Sequence, residues 1–383
     1  MAEELTLFDN ALKHPGIILR RMLSEKGWTQ DELAAVTGRS RQTINELISG
    51  KVGVTPEMAI ALSAALGNDP AEWMNWDSAY RLSIAESDSH IVQQKAHLYG
   101  IAPVREMQKR GWIKEAKDLP DLEAELRGFF GTDSLDKPFL FPVSGYRAEN
   151  LGHLNLAERA WCFRARHLAT ALRISTSFNV ADADKLIREM RTLAAYPQEA
   201  RRAPQLLANY GIRLVVVEPL TSAKIDGAAF WLNQHSPVIA VTIRYDRMDC
   251  FWFTIMHEFA HIHNNDMLSV DIDLVGDKST AIQTQEAQEM RASAEASAAL
   301  IPPQELDSFI RRVGPLYSKT RIIQFAHRMK IHPSIIVGQL QHRKEIRFIH
   351  HHQLLPKMRS IVTEAALTDG YGKIVNSEII VGG

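Results

Sequence analysis

The segment from Asp249 to His263 constrains the fold of this chain more than any other. Phe251, Trp252, Phe253, Ile255, Met256, Phe259, Ala260 and Ile262 place apolar side chains on nearly every side of a helix, so that helix must be buried. Three polar residues, His257, Glu258 and His261, are carried inside with it, and buried polar groups need partners. Residues four apart share one face of a helix, so His257 and His261 can offer imidazole nitrogens to one metal ion. Glu258, next to the first ligand, can reach a water on that ion without ligating it. Zinc acidifies such a water, and a neighbouring carboxylate takes its proton. The expectation is a Zn2+ site on His257 and His261 with Glu258 as catalytic base.

A third ligand must come from outside this helix. One version of the motif takes it from a histidine at 267 after a glycine at 264, but this chain has Met267 and Asn264. The other version uses a carboxylate on a following helix. The alanine-rich segment Gln283–Ala299 offers Glu286, Glu289 and Glu295. His263 lies about 200° around the helix from His261, at about 100° per residue, and reads as a flanking or surface group. His350, His351 and His352 are adjacent, point in different directions, and read as a solvated patch.

The N-terminal region has a different texture. Thr29 and Glu32 form a capping box that opens a short helix ending at Gly38, where a tight turn needs positive φ. Ser40 caps the next helix, Arg41–Ile48, and Thr55-Pro56 starts a third that closes at Leu66-Gly67. Two helices joined by a short glycine turn describe a helix-turn-helix. Leu33, Val36, Ile44, Leu47, Ile48, Leu62 and Leu66 would fill its core. Gln30, Ser40, Arg41, Gln42, Thr43 and Asn45 are left outside, with Lys51 and Arg39 nearby. Hydroxyls and N–H groups at a helix start suit phosphates, and Arg, Gln and Asn suit base edges. Residues 1–83 nevertheless hold more acidic than basic side chains, so affinity for double-stranded DNA must come from this local cluster and from a homodimer.

At 383 residues the chain is long enough for two or three domains. The boundaries read as a helix-turn-helix domain at 14–83, a helical and loop connector at 84–150, a metal-binding domain at 151–345 and a C-terminal tail at 346–383. Within the third, helices are expected at Leu156–Ile174 and Asp182–Ala195. Strands follow at Ile212–Val217, Gly227–Trp231 and Val238–Ile243, then a helix at Thr320–Met329. The fold class is mainly α with a small β-sheet (α+β): an all-α helix-turn-helix domain followed by a zincin-like domain. Two widely spaced cysteines, Cys162 and Cys250, form no disulfide framework and read as core residues of a cytoplasmic protein. No basic-then-apolar leader and no membrane-length apolar run are visible.

Two resemblances sharpen this reading. His14-Pro15-Gly16, the run Ser40 to Ile48, Gly50-Lys51 and Thr55-Pro56-Glu57-Met58 resemble the HigA-type antitoxins, from His14 to about Leu82 and including Trp73 and Tyr80. Those are Xre-like repressors that bind operator DNA as dimers and neutralise a toxin, and the resemblance implies both kinds of partner. Residues from about Leu206 to Leu340 resemble the ImmA/IrrE metallopeptidases, through Arg244-Tyr245-Asp246-Arg247, the motif itself, Glu289 to Pro302, and His332-Pro333 with Ile335 to Gly338. That family takes its third metal ligand from the first Glu of a helix pattern ending in Pro, which implies Glu289 here. Ser293 stands where the family has Asn or Asp, and Glu295 where it has Phe. The resemblance implies an endopeptidase acting on a regulator protein or a toxin-antitoxin partner. A non-catalytic sensor or docking domain on a repressor is the alternative.

Overall fold

The computed structural model describes residues 14–137, 140–143, 147–272 and 283–373, with side chains at all of these except 86–90, 147–150, 272 and 283–286. The chain forms two compact units, one ending at His97 and one beginning at Leu98. The first holds α1 (Pro15–Lys26), α2 (Gln30–Thr37), α3 (Arg41–Ile48) and α4 (Pro56–Leu66). The division between units falls within α5 (Pro70–Ile101), beyond the boundary at 83 that the sequence suggests. Capping follows the sequence closely. Thr29 and Glu32 make the reciprocal box, Ser40 Oγ accepts from Thr43 N–H at 3.1 Å, and Gly38 takes φ 66° while donating to Ala34. Leu19, Leu33, Ile44, Leu47, Leu62 and Trp73 are fully buried in one core. Val36 is not part of it: it is 56% exposed. Leu33 and Ala34 face inward on α2, and Val36 is about 200° around from Ala34.

The second unit is built on a five-stranded sheet in the order β6-β4-β5-β3-β7, from β3 (Arg213–Val217), β4 (Ile225–Trp231), β5 (Pro237–Val241), β6 (Leu268–Ile272) and β7 (Leu367–Asp369). β3 runs parallel to β5 and β7, and β4 runs antiparallel to both β5 and β6. Every residue of β4 and β5 is buried, as in a sheet covered on both faces. Alternate residues point opposite ways. Val215, Val217, Ala228, Phe230, Val238 and Ala240 meet α7 (Leu119–Phe130), α8 (Leu156–Ala171) and the hairpin strand β1 (Leu140–Val143), which pairs with β2 (Arg147–Asn150). Leu214, Val216, Ala229, Trp231, Ile239 and Val241 meet α11 (Met248–His263) and the helices around it.

Those helices are α9 (Ala183–Leu193), α10 (Ala203–Asn209), α12 (Gln283–Leu300), α13 (Pro303–Val313), α14 (Lys319–Met329), α15 (Pro333–His342) and α16 (Arg359–Ala365); the short α6 (Val104–Lys109) precedes α7. The described part of the connector from Leu98 onward and the described part of the tail, as far as Lys373, belong to this body. Leu98, Met107, Leu126 and Phe141 share the core of α8 and the sheet. The C-terminal stretch supplies β7, whose fully buried Asp369 pairs with the fully buried Arg164 of α8 and accepts from Trp112 Nε1 at 2.8 Å. Pairing across more than two hundred residues leaves no periodic trace in the sequence. Cys162 and Cys250 are free and buried. Among the described residues no helix is long and apolar enough to cross a membrane.

Candidate metal centre

α11 forms because sixteen residues from Met248 to His263 carry no helix breaker, and it is buried because aromatic and branched side chains surround it. His257, Glu258 and His261 each have 0% of their surface exposed. α12 packs along α11 and brings Glu289 to the two imidazoles. His257 Nε2 is 3.1 Å from His261 Nε2 and 3.1 Å from Glu289 Oε2, and His261 Nε2 is 3.6 Å from that same oxygen. Zinc–ligand bonds of about 2.0–2.1 Å in a tetrahedron place neighbouring donor atoms about 3.3 Å apart. The spacing therefore fits an ion between them.

A fourth group joins them. Asp271 of β6 puts Oδ2 3.2 Å from His257 Nε2, and one ligand atom each from His257, His261, Asp271 and Glu289 lie within 4.8 Å of one another. Asp271 Oδ2 is buried and, among the described residues, lies against the His257 ring without a well-directed hydrogen bond. Ser269, two residues earlier, donates to Glu289 Oε1 at 3.0 Å, with Asp271 Oδ1 at 3.4 Å as an alternative acceptor.

Behind the Nε2 atoms, the Nδ1 atoms are also held. His261 Nδ1 lies 2.9 Å from Asp266 Oδ2, and Asp266 is itself gripped by Arg291 at 2.8 Å and Gln288 at 3.2 Å. His257 Nδ1 lies 3.3 Å from Ser293 Oγ, so the serine at the family's Asn or Asp position still reaches the ring. Such partners fix the ring orientation and leave Nε2 for a metal.

Charge in this cluster is high. Burial opposes a proton on His257, but Asp271 and then Glu289 outweigh it and hold the imidazole up at about 10. His261 is raised against burial by Glu289 and Asp271. Burial also works against the Asp271 carboxylate, yet His257 draws it well below the usual carboxylate range. Burial and then the Asp271 charge push Glu258 far up. A divalent cation replaces imidazolium protons as the counter-charge to these carboxylates.

Among the described residues neither Glu258 carboxylate oxygen makes a well-directed hydrogen bond. The group fits where it does because β4 carries Gly227 there, and a Cβ at that position would overlap Glu258 Oε1. Of the other carboxylates weighed for the third ligand, Glu295 turns to Asn264 at 2.8 Å, and the Glu286 side chain lies outside the described residues. His263 is exposed, with its ring stacked on Phe259. Ser269 and Asp271 are not singled out by the motif, yet the sequence carries a signal for them. Leu268-Ser269-Val270-Asp271-Ile272 alternates strictly, and a strand beginning just after the motif helix would face its polar positions one way.

In the first unit, Ser40, Arg41, Gln42, Asn45 and Lys51 are exposed, and Gln30 and Thr43 are half-buried. Arg41 Nε lies 3.2 Å from Asp31 Oδ1, and Gln42 donates to Glu46 at 2.9 Å. Both are exposed pairs of small energetic weight, so both side chains can exchange partners.

Comparison with known proteins follows this division. Residues 18–73 match the helix-turn-helix family model, and residues 209–337 match that of the IrrE N-terminal-like domain. The chain is 38% identical over 72 residues to YddM of Escherichia coli K12, an uncharacterized HTH-type transcriptional regulator, covering 19% of this chain and 77% of that one. It is 41% identical over 66 residues to antitoxin HigA-1 of Vibrio cholerae serotype O1, 15% of this chain and 62% of the relative. Among solved structures, antitoxin GraA is 35% identical, with 20% of this chain and 84% of that one covered and a TM-score of 0.20. The chain belongs to the HTH-type, Xre-like transcriptional regulators through its N-terminal unit, and joins to it a domain of the IrrE-like Peptidase_M78 family.

Proposed function

We propose that this chain is a DNA-binding regulator whose second unit is a zinc-dependent endopeptidase directed at a regulator protein or a toxin-antitoxin partner. The observation that carries the reading is the convergence of His257 Nε2, His261 Nε2 and Glu289 Oε2 within 3.1 to 3.6 Å, with Glu258 beside them on α11. His257, His261 and Glu289 would hold Zn2+, which when bound supplies a Lewis acid for a peptide carbonyl. Glu258 takes and returns a proton at its carboxylate oxygens, screened from bulk water by β4. Asp266 and Ser293 keep the two imidazoles turned to present Nε2. In the first unit, α3 would enter the major groove with Arg41, Gln42 and Asn45 toward bases. Gln30, Ser40, Thr43 and Lys51 would meet phosphates. The likeness to an HTH-type regulator and to antitoxin HigA-1 supports DNA and a toxin as partners; a homodimer on operator DNA, working in the cytoplasm, completes the proposal.

The Glu258→Gln variant tests the hydrolase. Full-length protein is incubated with Xre-type repressors and with the product of any adjacent toxin gene. Wild type is expected to cleave one of them, and the variant to bind equal zinc and cleave none. If neither cuts any candidate while both hold zinc and bind the operator, the domain is a sensor or docking module instead. Complete burial of Glu258 is the observation that favours that second reading.

A further inference from the structure

Resting on the metal reading above, we propose that Asp271 completes the metal shell as a fourth protein ligand, and that β6 occupies the place of a substrate strand, so that the site is closed as folded. An extended substrate peptide can add as a strand to an exposed sheet edge, here the one beside the metal-binding helix. Among β3, β4 and β5 that edge is β4, whose other side pairs with β5. In this chain the edge is already taken. β6 runs antiparallel along β4 in the register Gly227 to Asp271, Ala228 to Val270 and Ala229 to Ser269. The alternation of a strand does the rest. Leu268 and Val270 pack into the core on one face. Ser269 and Asp271 point the other way, at the two histidines.

Catalytic zinc sites keep one position open, whereas sites with four protein ligands are closed. Two imidazoles and two carboxylates make four here, with Ser269 within hydrogen-bond reach of both carboxylates. His257, Glu258 and His261 have no exposed surface, and of the four ligands only Glu289 reaches solvent appreciably, with 23% of its side chain exposed. Cleavage therefore requires β6 to leave β4, which withdraws Asp271 and frees the strand edge in one motion. β6 is five residues long and lies at the sheet edge, where release breaks one ladder only.

Co2+ in the full-length protein reads the shell directly, since its visible spectrum reports coordination number. Acetohydroxamate serves as the incoming ligand. The wild-type spectrum is expected to be four-coordinate and unchanged by saturating acetohydroxamate. Asp271→Ala and the near-isosteric Asp271→Asn are expected to respond to it, with Co2+ affinity weakened roughly 10- to 100-fold in chelator competition. A wild-type spectrum that shifts with acetohydroxamate overturns the closed shell, whatever the variants do. So do Asp271 variants that hold Co2+ as tightly as wild type. If wild type takes up no Co2+ at all, the metal reading itself fails and this inference falls with it.

Discussion

Gly227 shows how closely the site is fitted at the scale of single residues. Its missing Cβ is the space that the Glu258 carboxylate fills, so Gly227→Ala must move either β4 or Glu258. The expected result is wild-type zinc content with cleavage of any identified substrate reduced at least as far as a displaced base requires, about 10²-fold or more. Retention of full activity would mean that Glu258 works from some other position. Asp266 acts one step further out. It holds His261 Nδ1 while Arg291 and Gln288 hold it, so Asp266→Ala is expected to weaken zinc binding roughly 10- to 100-fold, read by chelator competition. The histidine pair and Glu258 were legible from spacing on one helix, because i and i+4 is a local rule. Glu289 needed a family pattern as well. The arrival of Asp271 beside His257 is not legible in the sequence, because it depends on the register of β6 against β4, and register is set by contacts far apart in the sequence.

At the scale of elements, helices with explicit caps were the easiest to read. α3 begins at Arg41 behind Ser40 and ends at Ile48, as its punctuation indicates. Val36 was misplaced because eight residues make barely two turns, too few for periodicity to tell the inner face from its margin. The outer face of α3 yields a prediction about binding. Arg41→Ala and Gln42→Ala should each cost about 1–3 kcal/mol on the cognate operator and relax its sequence preference. Lys51→Ala should weaken binding to all sequences alike and lower the salt slope by about 1. Fluorescence anisotropy across a salt series distinguishes these patterns. Unchanged operator binding in all three variants would turn α3 into a protein-docking helix.

The whole second unit is joined by contacts that no local rule anticipates. Connector residues from Leu98 onward and tail residues as far as Lys373 are built into the second unit, the latter through β7 and the Arg164–Asp369 pair. Removing one partner of a fully buried ion pair typically costs about 3–5 kcal/mol, so Asp369→Ala should lower the unfolding free energy, measured by denaturant titration, by that amount. A shift below about 1 kcal/mol would show that β7 adds little to the fold. Acid stability has its own marker in α8. Burial, then Arg164 and Arg166, bring His167 down to about 4. Unfolding lets it bind a proton at the ordinary value near 6.5, so the unfolded state holds more protons between those two pH values. Stability should accordingly decline as pH falls from about 6.5 to about 4, with this group contributing on the order of 3 kcal/mol across that window. His167→Gln should flatten that part of the profile of Tm against pH. An unchanged slope would place the responsible group elsewhere.

The four candidate ligands come from three separate elements, α11, β6 and α12, spread over residues 257 to 289. An ion held by all of them is a cross-link that exists only in the folded state, so its binding energy is also folding energy. At free zinc a thousandfold above its Kd, that linkage adds about 4 kcal/mol to the unfolding free energy. Metal supply would then set how long a copy of this regulator survives proteolysis, and hence how much operator is occupied. A cell short of zinc would lose regulation through turnover of the regulator, without any peptide bond being cut at Glu258.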